Sequence, residues 1–96
     1  MSEGNNDNSI FIGNKPFMNY VTGVVMQFTT KGSNEVIIKA RGKFISRAVD
    51  VAEVVRKRFL DESVAVSNIQ IGSKDFTNKE GKELRVSDIE ITLKKL

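Results

Sequence analysis

The sequence predicts one α/β domain of the α+β sandwich kind, running strand, helix, strand, helix, strand, strand. Two helices would lie on one face of a four-stranded mixed sheet, and the last two strands would form a long protruding hairpin. Two observations predict this order. Two stretches, IFIGNKPF and VIIKARGKF, each pass from an apolar run through glycine and basic residues into a helical pattern. After them, two long β-rich stretches flank a polar turn.

Residues 1–9, MSEGNNDNS, carry nothing to bury and predict a disordered tail, with the folded domain over 10–96. Ile10, Phe11 and Ile12 make a short strand that stops at Gly13. Lys15 and Pro16 then open a helix with proline at its first position, and Phe17, Val21, Val24 and Phe28 mark its buried face. Gly23 weakens this helix by up to ~1 kcal/mol against alanine and suggests a close approach by another element. Gly32 reads as the stop.

The β-branched run Val36, Ile37, Ile38 forms the second strand and leads through Lys39 and Arg41 to a turn at Gly42. From there Ile45, Ala48, Ala52, Val55 and Phe59 recur at three- and four-residue steps, so the second helix runs to Phe59 with Arg47, Asp50, Glu53 and Lys57 on its outer face. Arg41, Lys43 and Arg47 crowd its N-terminus, where the partial positive charge disfavours bases. A phosphate on the helical N–H groups would reverse the sign of that effect. If the first two strands are parallel with a right-handed crossover, both helix N-termini open at one sheet edge and Lys15, Arg41 and Lys43 converge.

Asp61, Glu62 and Ser63 break the second helix. In the third strand Val64 and Val66 share one parity while Ile69 and Ile71 share the other, which predicts a bulge near Ser67 and Asn68. Leu84 and Val86 against Ile89, Ile91 and Leu93 predict the same in the fourth. Asn78 to Gly81 supplies the turn. Arms over 64–76 and 82–94 would reach ~43 Å, against ~21 Å for a 14-residue helix, so the distal half should project, carrying Lys74, Lys79, Lys82 and Arg85. Val86, Ile89 and Ile91 cannot all face one helical layer, which predicts a homodimer covering the remainder.

The 96 residues, 40% hydrophobic, suffice for one core. No apolar run approaches the ~20 residues that span a bilayer, and the polar start shows no secretory pattern, so a cytoplasmic protein without membrane attachment is expected. The chain has no cysteine and no histidine, which removes thiolate nucleophiles, Cys-based zinc sites and the commonest general base and metal ligand. The carboxylates are scattered among bases with no apolar pair to tune for acid–base work, so no enzyme, metal, cofactor or small-molecule substrate is expected. Net charge is +3, but residues 10–96 hold 15 bases against 10 acids, a balance that favours phosphate-rich partners.

Three separated segments, GNKPFMNYV, VIIKARGKFISRAVDVAEVVRKRF and IQIGSKDF with RVSDIEITL, closely resemble the Alba family of archaeal chromatin proteins, from about Ile10 to Lys95. The resemblance implies a βαβαββ fold similar to the C-terminal domain of translation initiation factor three, and a homodimer that binds double-stranded DNA and RNA with little sequence preference and no catalysis. It implies contacts through a lysine pair before the first helix, the basic strand-to-helix turn and the hairpin arms. Carried onto this sequence, these are Lys15, Arg41 and Lys43 and the hairpin bases Lys74, Lys79, Lys82 and Arg85, with Asn14 in the place of the first lysine; Lys39 and Arg47 join them as bases that converge on the same helix N-termini. Asn14 stands where the family's best-known members carry a lysine associated with regulatory acetylation, so that regulation does not carry over. An amide there still hydrogen-bonds a phosphate, but without charge.

Phe59 lies inside RKRFL. Its spacing reads as a core residue at a helix end, whereas the resemblance implies packing of dimer against dimer on DNA. The expected function is architectural: coating, compacting or bridging chromosomal DNA in the nucleoid, with an RNA chaperone or ribonucleoprotein subunit as the alternative. Tyr20 lies within the first helix pattern, and neither a paired aromatic RNA motif nor a GXXG loop is present, so single-strand base stacking has little support.

Overall fold

A computed structural model describes residues 8–96. The strands β1 (Ser9–Phe11), β2 (Glu35–Arg41), β3 (Val64–Thr77) and β4 (Glu83–Lys95) form one sheet in the order β1-β2-β4-β3. β1 runs parallel to β2, and the other neighbours are antiparallel. Helices α1 (Phe17–Thr29) and α2 (Ile45–Val54) complete the βαβαββ order that the periodicities predict.

Sheet order begins earlier than the expected tail allows. Ser9 is the first residue of β1, and the side-chain amide of Asn8 donates to the Glu35 carbonyl at 2.6 Å. The rest of that tail, residues 1–7, lies outside the described residues.

Val36, Ile38 and Ala40 of β2 and Ile89, Ile91 and Leu93 of β4 alternate onto one face. There they pack with Tyr20, Val21, Val24 and Phe28 of α1 and Ala48, Val51 and Ala52 of α2 to make the core. Ile38, Leu93, Val21 and Val36 are fully buried. At Gly32 the chain takes φ +70°, the left-handed conformation that lets it leave α1, as the sequence suggests. No close approach explains Gly23, because a Cβ there would meet only Ile10 Cδ1, at an ordinary 3.8 Å.

The second helix departs from expectation at its end. After Val54 the helix widens into a π turn over Val55–Phe59, closed by the Leu60 N–H donating to the Val55 carbonyl at 2.9 Å. The wider winding makes successive residues of the turn lag behind the α-helical phase, so Phe59, at its end, leaves the core stripe and is 50% exposed. The reading of Phe59 as a core residue is therefore corrected. Val51, absent from the predicted stripe, is buried instead.

β3 carries the predicted bulge, a register shift between Val66 and Asn68. β4 has none: its parity change reflects the two faces of a regular strand, with Ile89, Ile91 and Leu93 under the helices and Leu84 and Val86 facing away. The apolar positions left uncovered on the helix side are therefore not Ile89 and Ile91, which are buried. They are their register partners Ile71 and Ile69 on β3, 78% and 58% exposed.

Candidate nucleic-acid interface

Three features meet at one edge of the sheet. β1 and β2 are parallel neighbours, with Phe11 opposite Lys39 and the Ile12 N–H donating to the Lys39 carbonyl, so the turns leaving both strands lie side by side. β2 ends at Arg41 opposite Asp88, and residues 73–87 of the hairpin continue past it from that same edge.

The first turn, residues 13–16, is held from inside. The Tyr20 hydroxyl, in a largely buried side chain, accepts from the Gly13 and Lys15 N–H groups, both at 2.9 Å. The Arg47 guanidinium reaches across from α2, donates to the Lys15 carbonyl at 2.8 Å and lies 5.7 Å from the Phe17 ring centroid. Arg47 therefore ties the two turns together, while the side chains of Asn14 and Lys15 stand exposed.

At the second turn Gly42 takes φ +56°, a conformation glycine adopts without the strain a Cβ would bring, and begins a 3-10 turn (Gly42–Phe44) that feeds α2. Neither helix has an acidic residue in its first turn or a side-chain cap. Arg41 and Lys43 are exposed, and among the described residues no carboxylate lies within ion-pair distance of either. Both instead sit over rings: Arg41 6.0 Å from the centroid of Phe76 in β3, Lys43 5.4 Å from that of Phe44.

Lys39 belongs elsewhere. By register it lies on the helix-free face, with its ammonium 5.4 Å from the Phe11 centroid and 3.9 Å from Glu90 Oε2. Lys39, Arg41 and Lys74 line an open groove of about 510 Å³ on that face, with Phe11, Phe44 and Glu90.

The hairpin turn is built on Asn78, whose side-chain oxygen accepts from the N–H groups of Glu80 and Lys82, both at 2.9 Å. Lys79 and Lys82 are exposed beside it. Arg85 pairs with its register partner Asp75 at 3.0 Å, on the opposite face of the hairpin from Lys74. At the far end of the molecule Glu53 bridges Arg56 and Lys57. The Arg56 hydrogen bond draws the Glu53 carboxyl below its usual range and raises Arg56. Among the described residues no cluster of carboxylates is set to hold a metal ion, and no helix is long and apolar enough to cross a membrane.

The Alba family model matches residues 8–73. The chain belongs to the Alba family. The DNA/RNA-binding protein Alba of Methanocella arvoryzae is 55% identical over 89 residues, covering 93% of this chain and 91% of that protein. The protein of the same name from Nanoarchaeum equitans is 58% identical over 87 residues, covering 90% and 96%. Alba from Thermoplasma volcanium superposes with a TM-score of 0.82 at 47% identity, covering 91% of this chain and 99% of that one. ALBA1 from Trypanosoma brucei, 24% identical with a TM-score of 0.72, covers 95% and 71% and shares the fold.

The Alba family model ends at Ser73, before Lys74, Lys79, Lys82 and Arg85. Two residues, Tyr20 behind the first turn and Phe11 on the helix-free face, carry little sign of their placement in the sequence. Tyr20 is only an aromatic in a helix pattern, and its hydroxyl contacts have no local signature. Phe11 is one of three apolar residues in a short strand, and its parity opposite Ile10 and Ile12 is the available sign that it faces away from the core.

Proposed function

We propose that the protein binds double-stranded DNA without sequence preference, as a homodimer that coats or bridges chromosomal DNA in the nucleoid. The observation that carries the reading is the edge where two uncapped helix starts, the bases Arg41 and Lys43 without an ion-pair partner among the described residues, exposed Lys15 and the rising hairpin all face outward. Such an edge takes phosphate groups: backbone N–H dipoles and side-chain cations act together, and neither reads a base. Lys15, Arg41 and Lys43 would neutralise phosphates at the body, and Lys74, Lys79 and Lys82 along the hairpin. Asn14 would add an uncharged hydrogen bond. Arg47 would act by holding the Lys15 turn, and Arg85 only after leaving Asp75.

The homodimer rests on Val66, Ile69 and Ile71, an apolar row on the helix side of β3 that no helix covers, with exposed Val49 on α2. Dimers would touch through Phe59, exposed amid Arg56, Lys57 and Arg58. The second reading, an RNA chaperone or ribonucleoprotein subunit, is favoured by the relatives' names, which give DNA and RNA together. Affinities for duplex DNA, duplex RNA and single strands at one salt concentration separate them. The first reading expects duplex DNA to bind at least as tightly as RNA, and a marked preference for RNA would replace it with the second.

A further inference from the structure

Both helices pack on one face of the sheet, so among the described residues no helix covers the other face, and its composition is specific. Across β1, β2, β4 and β3 one row reads Phe11, Lys39, Glu90, Gln70. The next reads Arg41, Asp88, Gly72, and beyond it Lys74 faces Val86. Phe11 is 68% exposed, with the Lys39 ammonium on one side of its ring. Gly72 keeps the second row low, since a Cβ there would come within 3.2 Å of Asp88 Oδ1. Phe11, Phe44, Lys39, Arg41 and Lys74 wall the groove over these rows.

We propose that this helix-free face binds unpaired nucleotides, with a base laid on Phe11 and the adjoining phosphates on Lys39, Arg41 and Lys74. The inference rests on the nucleic-acid reading above and deepens it by adding a second class of ligand. In a duplex each base hides its faces against its neighbours, so only a single strand, a loop or a frayed end presents a flat surface to an exposed ring. Charge chooses the same ligand: three bases line the groove against two acids. One acid, Glu90, is partnered by Lys39, and with Asp88 it offers acceptors for base amino groups and sugar hydroxyls. Continuity supports it too, because Arg41 stands at both this groove and the edge proposed for duplexes, so a strand peeled from a duplex there would reach Phe11 without leaving the surface.

The test uses the full chain with labelled oligo(U), oligo(dT) and a mixed-sequence duplex of equal length at one salt concentration. Phe11→Ala should weaken the single strands about tenfold and leave duplex affinity unchanged, and Phe11→Trp should restore single-strand binding. Arg41→Ala should weaken all three. The two homopolymers report separately whether the face prefers ribose or deoxyribose strands. Equal single-strand affinity for parent and Phe11→Ala overturns the platform, as does an equal loss for duplex and single strands. A parent that binds no nucleic acid overturns both readings, whereas duplex binding insensitive to Arg41→Ala with a selective Phe11→Ala loss removes only the edge. Photo-crosslinking of the parent to 4-thiouridine oligomers gives an answer independent of any variant's folding: adducts on the β1 peptide support the platform, and adducts confined to the hairpin contradict it.

Discussion

At the scale of single residues, side chains at this edge divide into those that hold the turns and those that face outward. Tyr20→Phe leaves the ring in the core but strips the acceptor from two N–H groups, so it should cost about 1–3 kcal/mol in urea denaturation. Arg41→Ala and Lys43→Ala touch nothing buried. Each should leave stability unchanged while weakening binding to unrelated DNA sequences equally, as a titration against several duplexes would report. Gly23→Ala has room for its methyl and restores helix propensity. It should stabilise by up to about 1 kcal/mol, raising the melting temperature by several degrees. Periodicity could not have located Phe59, because a π turn is set by how the helix end packs and slips the register without marking the sequence. Exposed as it is, Phe59→Ala should melt close to the parent instead of losing the ~3–5 kcal/mol of a core phenylalanine. Its DNA-binding curve should flatten as cooperativity is lost, and an undiminished steepness would remove Phe59 from any contact between dimers.

At the scale of elements, the hairpin separates from the fold. Between Val64 in β3 and Ile89 in β4 the chain adds no residue to the buried core. Shortening residues 76–84 to a tight turn should therefore leave the melting temperature nearly unchanged and weaken duplex binding. A large drop in melting temperature would mean that the arms are covered in the dimer. The elements themselves were legible because each buries one face: α1 and the first turns of α2 at helical spacing, β2 and β4 at alternate residues. The Ser67 bulge was legible too, since the apolar positions of β3 change parity around it. The same signal misled in β4, where Leu84 and Val86 are apolar on the far face beside Phe76 and Gly42, a packing that only the folded arrangement creates. Likewise, Lys39 reads in sequence as one of a run of bases, and strand alternation sends it with Arg41 to the helix-free face while Lys43 enters the turn.

At the scale of the whole molecule, the long axis of 46 Å against 25 Å across the shortest records a compact body with one projecting hairpin. A second copy laid on Val66, Ile69 and Ile71 would cover the uncovered row and set a second basic edge on the same particle. Sedimentation at micromolar concentration should give the mass of two chains, and Ile69→Lys should shift it toward one; a parent with the mass of one chain would remove the dimer. The central claim is that bases at this edge hold phosphates and read no sequence. Its most direct test is the affinity for a random-sequence duplex measured over a range of salt concentrations. A dimer neutralising ~6 phosphates predicts that log affinity falls against log salt with a slope of about −5, shallower for Arg41→Ala and the same for any duplex sequence. A flat response, or a slope that changes with sequence, would contradict it.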